Sequence, residues 1–176
     1  LLASSGVDRE RLVIATKFMP APWKLDVRRA LRHAVLGSLD RLGIDRIDLY
    51  QIHGPISLRS HRALADALAA VVDEGLVSAV GVSNYSARET RSIHGELAQR
   101  GVALATNQIE YSLLRRRPEN VGLIAECARL GVVPLAYSPI GQGRPAGKYS
   151  AANPPPGNRA FSAHPREKAD PTLPEP

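Results

Sequence analysis

Cysteine, methionine and aromatic residues are all scarce in this chain of 176 residues. The single cysteine, Cys127, excludes an internal disulfide, so the fold must rest on a packed core, and a reducing cytoplasm is the expected setting. The single methionine, Met19, lies inside the chain, which opens on Leu1 and so reads as a cut, processed or misassigned start. Leu1 and Leu2 give way almost at once to a polar stretch, too short an apolar run for a signal peptide. No run approaches the roughly 20 apolar residues of a membrane span, so no membrane role is expected. One cysteine and five histidines, none at metal-ligand spacing, give the expectation of no metal.

Acidic residues are outnumbered by basic ones, 17 against 23, for a net charge of +6. Nucleic acid is not the expected partner. The arginines are spread over helical outer faces (Arg28, Arg29, Arg32, Arg62, Arg88, Arg129), with one run at Arg115 to Arg117. The few tyrosines and phenylalanines sit in or beside apolar runs rather than among the basic residues, which is no stacking platform. A solvated basic surface is expected, compatible with anionic small molecules.

Five short apolar runs each end in a polar side chain suited to chemistry. They are RLVIATK to Lys17, IDLYQIH to His53, AVGVSN to Ser83 and Asn84, ATNQIE around Gln108, and VVPLAYS to Tyr137 and Ser138. Four stretches with helical periodicity separate them. The first runs from Val27 to Leu42 behind an Asp26 cap. The second opens at Ser60, the third at the Ser86–Glu89 capping box, and the fourth continues from Pro118. Each stops at a glycine: Gly43, Gly75, Gly101 and Gly131.

The strands are apolar on both faces, as when helices cover one side and a packed interior the other. The expected fold is therefore α/β: a partial (β/α)8 TIM barrel of about five parallel strands with four intervening helices, over residues 1–149. A whole barrel takes about 250 residues. Residues 150–176, rich in proline, read as a disordered tail, and Leu1 to Ser5 as the end of an earlier helix. An open doubly wound sheet is the rival topology, but Gly141, Gly143 and Gly147 make no dinucleotide-binding fingerprint.

In order and spacing, ATKF, LYQIHGP, GVSNYS, NQIEYSLL and YSPIGQG resemble the aldo-keto reductases, especially the branch related to potassium-channel β subunits. The resemblance covers about Asp8 to Tyr149. It implies the following roles. Lys17 lowers the pKa of a neighbouring catalytic tyrosine, and His53 orients the substrate carbonyl. Ser83, Asn84 and Gln108 grip the nicotinamide carboxamide, and Tyr137 stacks on its ring. Ser138, Ile140, Gly141, Gln142 and Gly143 follow the pyrophosphate. Met19 and Trp23 line the substrate pocket, though plain loop packing suits them equally. By residue type alone, a strand-end lysine is usually solvated, a lone histidine is often structural, and Ser and Asn commonly stop strands. Gln108 is harder to dismiss, because a glutamine in a buried strand needs partners. Asp48 falls at the opposite strand end, where barrels place stability.

The family's catalytic tyrosine and its aspartate partner lie upstream of the lysine strand, outside these 176 residues. Tyr50 points away from His53 by strand alternation, while Tyr85 and Tyr111 read as structural. The expected function is thus that of a fragment of an NADPH-dependent (NADP-binding) aldo-keto reductase. The parent reduces a small-molecule aldehyde or ketone, and the isolated chain is inactive. The alternatives are a non-catalytic nicotinamide-nucleotide-binding regulatory protein and a decayed gene product. Carbonyl substrate and oligomeric state are left open.

Overall fold

Each of the five apolar runs becomes a strand in the computed structural model, which describes residues 6–23 and 26–141. They are β1 (Ala15–Phe18), β2 (Ile47–Ile52), β3 (Val77–Ser83), β4 (Leu104–Glu110) and β5 (Val133–Tyr137). The strands lie side by side in chain order and every neighbouring pair is parallel. A doubly wound sheet reverses its winding and puts early strands in the middle. The unbroken order β1-β2-β3-β4-β5 is instead the wall of a β/α barrel, and it excludes the open-sheet alternative.

The helices start where local chemistry satisfies their free N–H groups. Asp26 accepts from the Arg29 N–H to open α1 (Val27–Leu42), and Ser60 accepts from the Ala63 N–H to open α2 (His61–Asp73). Ser86 and Glu89 form a complete capping box at the head of α3 (Ala87–Ala98). The expectation of one helix from Pro118 to Gly131 is corrected. There are two, α4 (Arg117–Asn120) and α5 (Leu123–Leu130), so five helices rather than four intervene. Gly122 sits between them at φ +72, a left-handed conformation that no helical hydrogen-bond run can pass through. Its carbonyl then accepts from the Glu126 N–H and begins a fresh helix.

One face of the sheet packs against these helices. Phe18, Tyr50, Ile52, Val80, Val82 and Ile109 join Leu31, Val35, Leu64, Leu68, Ile93, Leu97 and Cys127 in a single buried cluster. Strand alternation turns Lys17, Gln51, Gly81 and Thr106 to the other face, where the register sets them in one row. There the Gln51 Nε2 donates to Thr106 Oγ1 at 3.1 Å, across the gap left by Gly81. No helix among the described residues is long and apolar enough to cross a membrane. Residues 1–5 and 150–176, read above as a helix end and a tail, lie outside the described residues.

At the N-terminal end of the strands, Asp48 ties neighbouring segments together. Its carboxylate accepts from the Ile14 N–H at 2.8 Å and pairs with Arg9 at 2.8 Å. Burial pushes the Asp48 pKa up, but these bonds outweigh burial and hold it below its ordinary value. A cavity of about 560 Å³ opens here, lined by Arg9, Arg46, Asp45 and Asp48 among others. It lies at the opposite end of the sheet from the chemistry-bearing side chains.

On the outside, Glu126 of α5 joins α3 by accepting from Arg91 at 2.7 Å, and it also accepts from Arg129 of its own helix. Bonds from Arg129 and then Arg91 hold the Glu126 carboxyl far below the usual carboxylate range. A carboxyl lowered by folding stabilises the native state above its unfolded pKa, near 4.5, and loses that contribution as pH falls through the folded value. Glu126→Gln is therefore expected to melt below wild type at pH 7, with the gap closing as pH drops below 4.5. Thermal melts across pH 2 to 7 check this, and a gap that is constant with pH would refute the linkage.

Candidate active site

Parallel pairing in register means that residues ending neighbouring strands stand level with one another. Ser83 is paired with Gln108 in the β3–β4 ladder. His53 follows Ile52, the partner of Val82, and so stands level with Ser83. Its N–H donates to the Phe18 carbonyl at 2.8 Å, tying the end of β2 to β1, and its side chain is exposed. Lys17, half-buried, lies one step lower on the same face, level with Gln51. Tyr137 lies one step higher, level with Glu110. Lys17, His53, Ser83, Gln108 and Tyr137 thus share one face at the C-terminal ends of five adjacent strands.

Asn84 reaches this face by a different route. Simple alternation would send it to the helix side, but its backbone takes φ +59. Asparagine tolerates the left-handed region better than most residues, and the turn swings its amide back to the rim. A chain of hydrogen bonds results. The Tyr137 hydroxyl donates to Asn84 Oδ1 at 3.0 Å, Asn84 Nδ2 to Ser83 Oγ at 3.2 Å, and Ser83 Oγ to the Gln108 carbonyl at 3.0 Å. The Asn84 N–H also donates to the Gln108 carbonyl, at 2.8 Å. The side-chain Oε1 of Gln108 is left buried and without a partner. Burial, then the nearby Glu110 charge, raises the Tyr137 pKa, so this phenol stays protonated and able to donate.

Ser138 also takes a positive φ, 54°, and its carbonyl accepts from the Gly141 N–H at 2.8 Å, forming a tight turn just above Tyr137. Ile140 stands 69% exposed in that turn. Gln142 and Gly143 lie outside the described residues. Met19 and Trp23 occupy the loop after β1 and both are exposed, Trp23 by 78%, at the same end of the sheet as the rim.

No tyrosine of the described residues is free beside Lys17. Tyr50 lies fully buried on the helix side of β2, where burial pushes its phenol up to about 12. Tyr85 is buried with its ring against His61, and the Tyr111 hydroxyl donates to Glu119. Tyr137 is engaged with Asn84.

Sequence reasoning missed the row beneath the rim. Gln51 lies two residues before His53, and that spacing alone places both on one face. Gly81, a glycine inside a strand, signalled a close approach that turns out to be Thr106. It also missed Asn107, the buried neighbour of Gln108.

The site offers an ammonium, an imidazole, a hydroxyl and two amides, with no group of metal-binding side chains among the described residues. Two amides and a hydroxyl suit a ligand that both donates and accepts, as a carboxamide does. The Gln108 Oε1 at the end of this row is a buried acceptor without a partner.

Known proteins resemble this chain in sequence and in fold. The Aldo/keto reductase family matches residues 1–169. The chain is 37% identical to the chloroplastic pyridoxal reductase of Arabidopsis thaliana over 156 residues, covering 87% of this chain and 42% of that protein. It is also 37% identical to the 6-dehydroglucose reductase of Novosphingobium aromaticivorans, covering 86% and 49%. A crystal structure of a thermostable aldo-keto reductase in complex with the inhibitor epalrestat superposes with a TM-score of 0.68 at 31% identity, covering 78% of this chain and 48% of that one. The chain spans less than half the length of these curated relatives.

Proposed function

We propose, because the chain belongs to the aldo/keto reductase family, that its rim forms the nicotinamide and carbonyl half of an NADPH-dependent reductase site. The relatives are named for reducing pyridoxal and 6-dehydroglucose, so an aldehyde or ketone is the substrate class. The observation that carries this reading is the hydrogen-bonded row Tyr137–Asn84–Ser83–Gln108 with an unpartnered amide oxygen at its end. Ser83, Asn84 and Gln108 hold the carboxamide, exchanging their present internal bonds for bonds to it. Tyr137 offers its ring as a stacking surface. When bound, NADPH supplies the hydride.

The chain's own residues then act on the carbonyl. His53 stands exposed at the level of Ser83, where its imidazole orients the carbonyl oxygen by a hydrogen bond. Lys17 puts an ammonium one step below on the same face, suited to lowering the pKa of a proton-donating tyrosine set beside it. Met19 and Trp23 supply an apolar wall. The turn from Ser138 through Ile140 to Gly141 would hold the pyrophosphate. A buried, solitary Cys127 suits the cytoplasm as the place of action.

Among the described residues no phenol is free beside Lys17 to serve as proton donor. On that ground we infer that this chain binds NADPH without turning it over. Titrating NADPH against the fluorescence of Trp23, the single tryptophan, reads binding. Cofactor absorbance with an aromatic aldehyde reads turnover. Absence of binding would overturn the site, and turnover abolished by Lys17→Met would overturn the claim of inactivity.

A further inference from the structure

Asn107 is fully buried on the helix side of β4, next to Gln108, which faces the rim. Its register partner on β3 is Val82, the kind of residue that packing alone favours at such a position. Both Nδ2 hydrogens are used, one on the Tyr85 carbonyl at 2.9 Å and one on Thr90 Oγ1 at 3.0 Å. Thr90 donates its own hydroxyl hydrogen to the Ser86 carbonyl at 2.8 Å, so it accepts from Asn107. That orientation leaves Asn107 Oδ1 buried without a partner. A buried acceptor left unpaired works against folding, and such a group is retained where it serves something else.

What it serves is visible one residue away. Asn84 holds a left-handed backbone, which a non-glycine residue keeps only under restraint from its surroundings. Its N–H is fixed by the Gln108 carbonyl, and the carbonyl of the next residue, Tyr85, is fixed by Asn107. Two consecutive residues of β4 therefore grip the turn on both sides of Asn84. We propose that Asn107 is a positioning residue for the nicotinamide site, holding Asn84 in the left-handed turn that presents its amide to the rim. This rests on the proposed role of Asn84. Without Asn107 the turn relaxes toward negative φ and carries the amide away from Ser83 and Tyr137.

The test compares Asn107→Val, which removes both donated bonds, with Thr90→Val, which removes the Thr90 hydroxyl and leaves the Asn107–Tyr85 bond. Asn107→Ser serves as the milder variant should valine fail to fold. In Asn107→Val, hydrogen exchange at the Asn84 amide is expected to quicken about ten-fold, with Val80 and Val82 amides as protected as in wild type. NADPH affinity is expected to fall about ten-fold with it. Thr90→Val is expected to lower the melting temperature while leaving Asn84 exchange and NADPH affinity within about two-fold of wild type. Folded Asn107 variants with unchanged Asn84 exchange would overturn the inference, as would Thr90→Val matching them in every readout. Exchange needs no ligand, so wild type failing to bind NADPH would sink the functional reading while the exchange data still decide the role of Asn107.

Discussion

Gly81→Val is expected to yield no soluble folded protein. Gly81 stands in the middle of the inner row, between Gln51 and Thr106. A Cβ there would lie 2.2 Å from Thr106 Oγ1, 3.0 Å from the Thr106 carbonyl oxygen and 3.1 Å from Gln51 Cγ. The threonine hydroxyl can swing aside, but the carbonyl belongs to a central strand and cannot. Overpacking of this kind costs about 1–3 kcal/mol for a single added carbon, and a branched side chain adds more. Against a total stability of about 5–15 kcal/mol, that removes much of the margin. The ladder already shifts register between Val80 and Gly81, so further strain has little slack to absorb it. Gly81→Ala, being milder, is expected to fold and to lose about 1–3 kcal/mol in urea unfolding. Adding Thr106→Ala should recover part of the loss by removing the nearest atom. A Gly81→Ala protein as stable as wild type would mean that the strands do not approach as described.

The second large effect concerns binding. Asn84→Gly with Gln108→Ala is expected to weaken NADPH binding while leaving the fold as stable as before, or more so. Glycine keeps the left-handed turn at no steric cost, and Gln108→Ala removes a buried oxygen that has no partner. Two lost hydrogen bonds to a neutral carboxamide amount to about 2 kcal/mol, or roughly thirty-fold in affinity. Fluorescence titration beside a thermal melt separates the two quantities. Affinity within experimental error of wild type would show that these amides do not read the nicotinamide.

Much of this fold was legible because its signals are local. The Asp26 cap, the Ser60 cap and the Ser86–Glu89 box each act within four residues, and each opens its helix where expected. The strand ends were legible too, because five apolar runs with polar termini form parallel neighbours only when aligned. The break at Gly122 was not legible. A glycine inside an apolar helical pattern reads as tolerated, and only the surrounding structure decides that it takes a positive φ. The placement of Asn84 on the rim was expected, although alternation alone would have sent it to the helices. A left-handed turn resolves that conflict. The Gln51–Thr106 bridge joins residues 55 apart in sequence, and the Asn107 contacts span 17 and 22, so no local pattern announces them.

The level alignment of the strand ends also decides which changes in chain length the protein can survive. Side chains alternate with a period of two, so deleting one residue from β2 or β4 would carry His53 or Gln108 to the helix side and strip the rim of that group. The loop from Gly54 to Arg59, which leads from the rim to α2, constrains no such phase. Natural variants should therefore gain and lose residues there freely, and keep the strands at constant length.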